Sequence, residues 1–263
     1  MTHSQDTGLD PLEVAIRVAK EAGALLMDYL SRPLHTAQKS RRADLVTDAD
    51  RASEKLIIDR LRAAFPQSTI IGEESGTHCG DPEECWYVDP LDGTTNFTHG
   101  YPMFCVSIAY ERRGELEAGV IYAPFYDELF CATKGQGATL NGKPLRVSMV
   151  EKLGEGLTCT GFHPADFERN GRYFRIMSSH AQAVRRDGSA ALDLAAVAAG
   201  RFDGFWEFDL HAWDVAAGAL IVREAGGRVS AADGAPFEVS GKSILASNGL
   251  IHAPMQAVLA SMP

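Results

Sequence analysis

The chain has 263 residues, 45% of them hydrophobic, and a formal net charge of −10. That is enough apolar material for one large domain or two halves, and the acidic balance argues against bulk binding to nucleic acid or an anionic membrane. An acidic protein can still take a phosphate substrate if bound cations invert the local field. The five cysteines are odd in number and form no C-x-x-C pair, which points to a reducing compartment rather than a disulfide framework or zinc site. No apolar run nears the ~20 residues of a membrane span. Residues 1–10 are polar and lack a signal-peptide core, so the expected location is the cytoplasm.

Asp10-Pro11-Leu12-Glu13 reads as a helix start, with Asp as cap and Pro at the first helical position. Leu12, Ile16, Ala19, Gly23, Leu26 and Leu30 recur at helical spacing and predict a scaffold helix ending near Arg32-Pro33. Lys39 to Arg42 is a basic loop. Thr47 caps a second helix that carries Asp50 at its third position, where capping alone explains an acid. Ser68 to Ile71 reads as a short buried strand. The acids of Gly72-Glu73-Glu74-Ser75 follow it at the edge of the core, either facing solvent or ligating metal. Thr77 to Glu84 reads as a polar loop, and His78 and Cys79 in it find no partner at zinc spacing.

Trp86-Tyr87-Val88-Asp89-Pro90-Leu91-Asp92-Gly93-Thr94-Thr95-Asn96-Phe97 is the centre of the chain. An apolar strand is expected to stop at Pro90, which has no N–H for a ladder. Asp89 and Asp92 then share a tight turn, Gly93 permits an unusual backbone angle, and Thr94 and Thr95 open a helix. Carboxylates beside a helix N-terminus suit hard divalent metal and phosphate together, with backbone N–H groups at Gly93, Thr94 and Thr95 facing the phosphate. Strands are expected at Phe104–Glu111, Glu115–Ala123 and Glu128–Thr133, with hairpin punctuation at Gly135-Gln136-Gly137 and Asn141-Gly142. Residues 1–147 therefore read as helices plus an antiparallel sheet.

The second half, 148–263, alternates strands and helices, as in an α/β layer. Strands are expected at Glu155–Thr160, Ala183–Arg186, Phe205–Glu207, Gly227–Ser230 and Ser243–Ala246. Helices are expected at Ala165–Met177, Ser189–Ala199, Trp213–Ala225 and Gly249–Ser261. Asp214 sits in the first turn of its helix, where the macrodipole favours a carboxylate, and the Trp213 indole is expected in the core. Glu207 ends an apolar strand with no solvent reason to be acidic, and His211 is read as structural or as a general acid. If Glu73, Asp89, Asp92 and Asp214 converge, they need cations to coexist. Oxygen-only ligands then select Mg²⁺, Mn²⁺ or Ca²⁺, and such metals support phosphoryl displacement by water.

Gly72-Glu73-Glu74-Ser75, the Trp86–Phe97 block and Trp213-Asp214-Val215-Ala216-Ala217-Gly218 resemble the signature blocks of the inositol monophosphatase family. Leu45-Val46-Thr47-Asp48-Ala49-Asp50, Asn141-Gly142-Lys143-Pro144-Leu145 and Arg186-Asp187-Gly188-Ser189-Ala190-Ala191 agree in the same order. The resemblance implies an alternating α-β-α-β-α layered sandwich, in the α+β or α/β class, forming a homodimer. It also implies a lithium-sensitive, Mg²⁺-dependent phosphatase using two to three ions, with Mn²⁺ as substitute. Under it, Glu73 and the Leu91 carbonyl serve the first metal, Asp89 bridges the first two, and Asp92 and Asp214 hold the second. Glu73 also reaches a third ion through water, near which Lys39 supplies a basic group. Thr94 paired with Asp50 orients the attacking water, and Ala190 and Glu207 meet substrate hydroxyls. The segment 163–166 borders the leaving group and offers no readable substrate signature. Inositol 1-phosphate is the expected substrate, histidinol phosphate the alternative. A regulatory role in transcription complexes is the alternative of another class, with Arg41-Arg42 and Arg185-Arg186 as contacts.

Overall fold

The computed structural model describes residues 8–32, 36–38, 45–162 and 167–261, with backbone alone at 36–38, 45 and 46. Lys39, Arg41, Arg42 and the segment 163–166 lie outside the described residues. In the first half the elements are α1 (Pro11–Leu30), β1 (Thr36–Gln38), β2 (Leu45–Thr47), α2 (Asp48–Ala64), β3 (Ser68–Gly72), β4 (Gly76–His78), β5 (Asp81–Asp92), α3 (Thr94–Thr98), β6 (Cys105–Arg112), β7 (Glu115–Ala123), β8 (Glu128–Thr133), β9 (Gly137–Leu140) and β10 (Lys143–Pro144). After a 3-10 turn at Leu153–Glu155 come β11 (Leu157–Thr160), α4 (Phe167–Ser178), β12 (Ala183–Arg185), α5 (Ala190–Ala198), β13 (Gly204–Phe208), α6 (Ala212–Glu224), β14 (Arg228–Ser230), β15 (Ser243–Ser247) and α7 (His252–Ala260).

The caps act where the residue types place them. The Asp10 carboxylate accepts from Leu12 N at 2.9 Å, and Thr47 closes a capping box with Asp50. One sheet has the order β10-β9-β8-β7-β6-β5-β3-β4, and a smaller one β12-β11-β13-β15-β14. Alternation along the strands decides which layer each side chain joins. Trp86, Val88, Val106, Ile108 and Tyr110 face α1 and α2, whereas Cys105, Ala109 and Tyr87 face α5 and α6. Cys159, Phe205 and Ala246 close the α5–α6 layer from the smaller sheet. Trp206 and Leu245 turn the other way, toward Met177 of α4 and Met255 of α7. The result is the expected α-β-α-β-α sandwich. Each fully buried large apolar side chain contributes about 1.5–3 kcal/mol.

Beyond Asp214 and Val215, α6 carries four small residues, Ala216, Ala217, Gly218 and Ala219. A Cβ on Gly218 would meet Leu194 Cβ at 2.6 Å, so glycine is what lets α6 lie against α5. The central core draws on β6, β7 and β8 from one half and on α5, α6, β13 and β15 from the other.

Four expectations are corrected. First, β5 does not stop at Pro90 but runs to Asp92, with a register irregularity between Asp89 and Asp92 against β6. A proline is tolerated at such a bulge because no ladder bond is asked of its nitrogen. Second, Thr77 to Glu84 is not a loop. It holds the end of β4 and the start of β5, and His78 is held by Ser75 Oγ at 2.6 Å and Arg62 at 3.2 Å. Third, the large sheet is mixed, since β3 runs parallel to β5, and so is the smaller, where β15 is antiparallel to β13 and β14. Fourth, Trp213 is only partly buried and stacks on the His211 ring, with centroids 4.7 Å apart.

Candidate active site

Strand alternation turns Asp89 away from Trp86 and Val88 and toward α6. Its cross-strand partner Ser107 donates to the Trp213 carbonyl at 3.1 Å, tying the start of α6 to the strand that carries Asp89. Asp89 is 2% exposed and accepts from Leu91 N at 3.0 Å. The turn beyond it is fixed from α2, where Ser53 donates to the Pro90 carbonyl at 2.9 Å. Gly93 has φ +94°, and a Cβ there would sit 2.6 Å from the Met103 carbonyl. No L side chain fits both constraints.

Asp50 does the work of both sequence readings at once. Its Oδ2 accepts from Thr47 N at 2.8 Å and Thr47 Oγ1 at 2.6 Å, completing the cap. Its Oδ1 lies 3.0 Å from Thr94 Oγ1, which is also 3.1 Å from the Leu91 carbonyl. The Thr94 hydroxyl has one proton for these two acceptors, so its lone pairs are held in a fixed direction. Thr95 is exposed in the first turn of α3.

Asp92 is reached from the second half of the chain. Ser189 Oγ and Ala191 N both donate to its Oδ2, each at 2.7 Å, and the Cys105 thiol lies 4.0 Å from the same oxygen. Ser189 is also the N-cap of α5, accepting from Leu192 N at 3.3 Å. Asp214 accepts from His211 N at 2.7 Å, so it too caps a helix and faces the site. Glu73 follows β3, its N donating to the Val88 carbonyl at 3.2 Å. The next residue is fixed by α2, since Glu54 accepts from Glu74 N at 2.9 Å.

The electrostatics show what these positions lack. Asp89 is held well above the usual carboxylate range by burial first, then by Glu73, Asp92 and Asp214, against one opposing bond from Leu91 N. Asp92 is pushed up to about 7 by burial and by Asp214, and is pulled back by Ser189, Ala191 and Ala190. Glu207 is raised by burial, Asp214 and Asp92, with Arg186 and Gly161 N opposing. His211 is raised by its bond to Asp214. Acids that raise one another in this way coexist by keeping protons or by sharing a cation. The donors are all oxygen, which suits a hard divalent ion. Among the described residues no three His, Cys, Asp or Glu side chains close on a common point. The acids are near enough to raise one another but form no finished cage.

Of the residues expected from sequence, Asp92, Ala190, Glu207 and Asp214 line one cavity of about 140 Å³. Asp50, Leu91 and Thr94 share one hydrogen-bond group, and Asp89 and Glu73 are coupled to the same acids. Lys39 lies outside the described residues. Sequence reasoning missed the donors to Asp92, reading Ser189 only as a helix start. It also missed Asn96, whose Nδ2 donates to Met103 and Asp187 carbonyls at 2.7 and 2.8 Å and joins the two halves. Asp193 was missed as well. It is 1% exposed, and neither carboxylate oxygen meets a hydrogen-bond partner among the described residues. Burial and then Glu207 raise its pKa far above normal.

Residues 9–261 match the sequence model of the inositol monophosphatase family. The chain is 44% identical over 257 residues to inositol-1-monophosphatase of Synechocystis, covering 96% of this chain and 89% of that protein. It is 45% identical over 257 residues to Nus factor SuhB of Escherichia coli K12, covering 95% of each. Among solved structures, extragenic suppressor protein suhB from Bartonella henselae superposes with a TM-score of 0.92 at 42% identity, covering 95% of this chain and 98% of that one.

Proposed function

The chain belongs to the inositol monophosphatase family and is a phosphoric monoester hydrolase, and on that premise we propose that it hydrolyses a small phosphorylated polyol, inositol 1-phosphate first among them. The observation that carries this reading is buried Asp89 set against three further acids with a single backbone donor. The family is metal-dependent, and the oxygen donor set here fits Mg²⁺, with Mn²⁺ as substitute. Glu73, Asp89, the Leu91 carbonyl, Asp92 and Asp214 would hold two to three ions. When bound, these supply the positive charge that neutralises the acids, polarises the phosphate and makes a coordinated water nucleophilic.

The remaining work belongs to side chains and backbone. Thr94 Oγ1, fixed by Asp50 and Leu91, accepts a hydrogen bond from the attacking water and relays its proton toward Asp50. Glu73, on its anchored loop, steers the same water. Backbone N–H groups at Gly93, Thr94 and Thr95 hold phosphate oxygens. Ala190 and the Glu207 carboxylate meet hydroxyls of the alcohol, while Asp92 and Asp214 stand at the leaving oxygen. The segments 1–147 and 148–263 act as one catalytic unit, because Asp92 from the first is set by Ser189 and Ala191 from the second. A cytoplasmic homodimer inhibited by Li⁺ completes the reading, and Lys39 adds a basic group beside a third ion. Among the described residues no helix is long and apolar enough to cross a membrane.

Phosphate release from a panel of monoesters with Mg²⁺ tests the reading. Inositol 1-phosphate should be turned over fastest and histidinol phosphate more slowly, and the reverse order moves the substrate to histidinol phosphate. A second reading, a regulatory role in transcription complexes, is favoured by the 45% identity to Nus factor SuhB. If D92N abolishes phosphate release and leaves the cellular phenotype of a deletion complemented, that role is the primary one.

A further inference from the structure

The cavity that holds Asp92, Glu207 and Asp214 has one cationic wall. Arg186 lines it together with these acids, Phe162 and Gly188. The side chain is exposed but not loose. Its guanidinium stacks over the Phe162 ring at 5.2 Å, and one NH2 donates to the Phe162 carbonyl at 2.8 Å. Its NH1 lies 3.7 Å from where a Cβ on Gly188 would stand, so the fork is folded over the backbone that leads into Ser189. The preceding chain is anchored as well, since Asn96 holds the Asp187 carbonyl at 2.8 Å. A guanidinium has five N–H donors in one plane, and the bond to Phe162 uses one.

Among the described residues the other charged lining is Asp92, Glu207 and Asp214. With Asp92 and Asp214 given to metal, Glu207 is the acid left to face the alcohol, and by itself it would accept an amino alcohol as readily as a polyol. Arg186 changes that balance. Its charge opposes the upward shift of both Glu207 and Asp193, and it sets a held positive group in the wall of the pocket that would take the alcohol. A planar fork matches two adjacent hydroxyl oxygens, and like charge disfavours an ammonium at the same spot.

We propose that Arg186, pinned on Phe162, is a specificity-determining residue that selects neutral or anionic vicinal-diol leaving groups and rejects leaving groups that carry an ammonium. This rests on the phosphatase reading above and deepens it by naming the substrate class.

The test compares kcat/KM for inositol 1-phosphate and for histidinol phosphate, with Mg²⁺, in the full-length wild type, R186Q and R186K. The ratio of the two should favour inositol 1-phosphate in the wild type and fall about tenfold in R186Q, as expected for losing a charge-assisted donor. R186K keeps the charge and loses the fork, so it should fall between the two. A ratio unmoved in R186Q, or an equal loss on both esters, overturns the inference while leaving the phosphatase reading intact. A wild type inactive on both esters and on glycerol 2-phosphate removes the phosphatase reading, and the inference with it.

Discussion

Two buried carboxylate sites in this fold are chemically alike and physically opposite. Asp203, 6% exposed, meets only donors. Ser148 Oγ reaches Oδ1 at 2.5 Å and Leu157 N reaches Oδ2 at 2.6 Å, while Asn248 binds both Ser148 and the Asp203 carbonyl. This acid is a lock between strands and needs nothing more. Asp89, 2% exposed, meets one backbone N–H and three other acids. A buried charge is tolerated when it is paired or hydrogen-bonded. Asp203 fulfils that condition from within the chain and Asp89 does not. Under the proposed function the cations would supply what Asp89 lacks, and the contrast then separates an acid kept for stability from acids kept for chemistry.

The comparison breaks most plainly through substitution at the site. D92N and D214N should each lower turnover by several orders of magnitude and leave the thermal midpoint equal or higher, because each removes one of several repelling charges. Steady-state phosphate release and a melting curve on the same preparation check both halves. D203A should do the reverse, costing about 3 kcal/mol in urea unfolding because two buried donors lose their acceptor. Activity per folded molecule should be retained.

A third buried polar group sharpens the contrast through pH. His252 is fully buried, with Ser230 Oγ at 2.9 Å from Nε2 and Ser247 Oγ at 2.9 Å from Nδ1. Burial lowers its pKa from 6.5 to about 4. A base depressed in the fold binds fewer protons folded than unfolded. Its contribution is complete above about pH 6.5 and is lost as pH falls toward 4. The wild type should lose roughly 2 kcal/mol between pH 7 and pH 5 from this residue, and H252N should lose less over the same range. The smallest effect is expected at the donors. S189A leaves Asp92 its Ala191 bond and should weaken Mg²⁺ about tenfold, as removal of a supporting hydrogen bond commonly does. Metal titration of activity reads it.

What could be read in sequence follows from how local each determinant is. The strands Glu115–Ala123 and Glu128–Thr133 stand where their punctuation puts them, because Arg113 and Gly114 (φ +53° and +77°) form a turn that only a few residue pairs allow. Pro90 misled, because a bulge that needs no N–H is set by the neighbouring strand and leaves no mark in the local sequence. β4 was invisible for a similar reason, since Gly76, Thr77 and His78 carry no apolar period. The acids of the site were legible as chemistry. Their organisation was not, for Ser189 and Ala191 lie 97 and 99 positions from Asp92, and only the fold brings them there. Arg186 was read as a contact in a transcription complex because its spacing says nothing of the cavity it lines.

The most direct measurement is anomalous scattering from a crystal of this chain soaked in Mn²⁺. The account predicts difference peaks bounded by Glu73, Asp89, the Leu91 carbonyl, Asp92 and Asp214, with the carboxylates drawn inward around them. A soaked crystal with no peak there, or with manganese bound elsewhere while these acids stay apart, would contradict it.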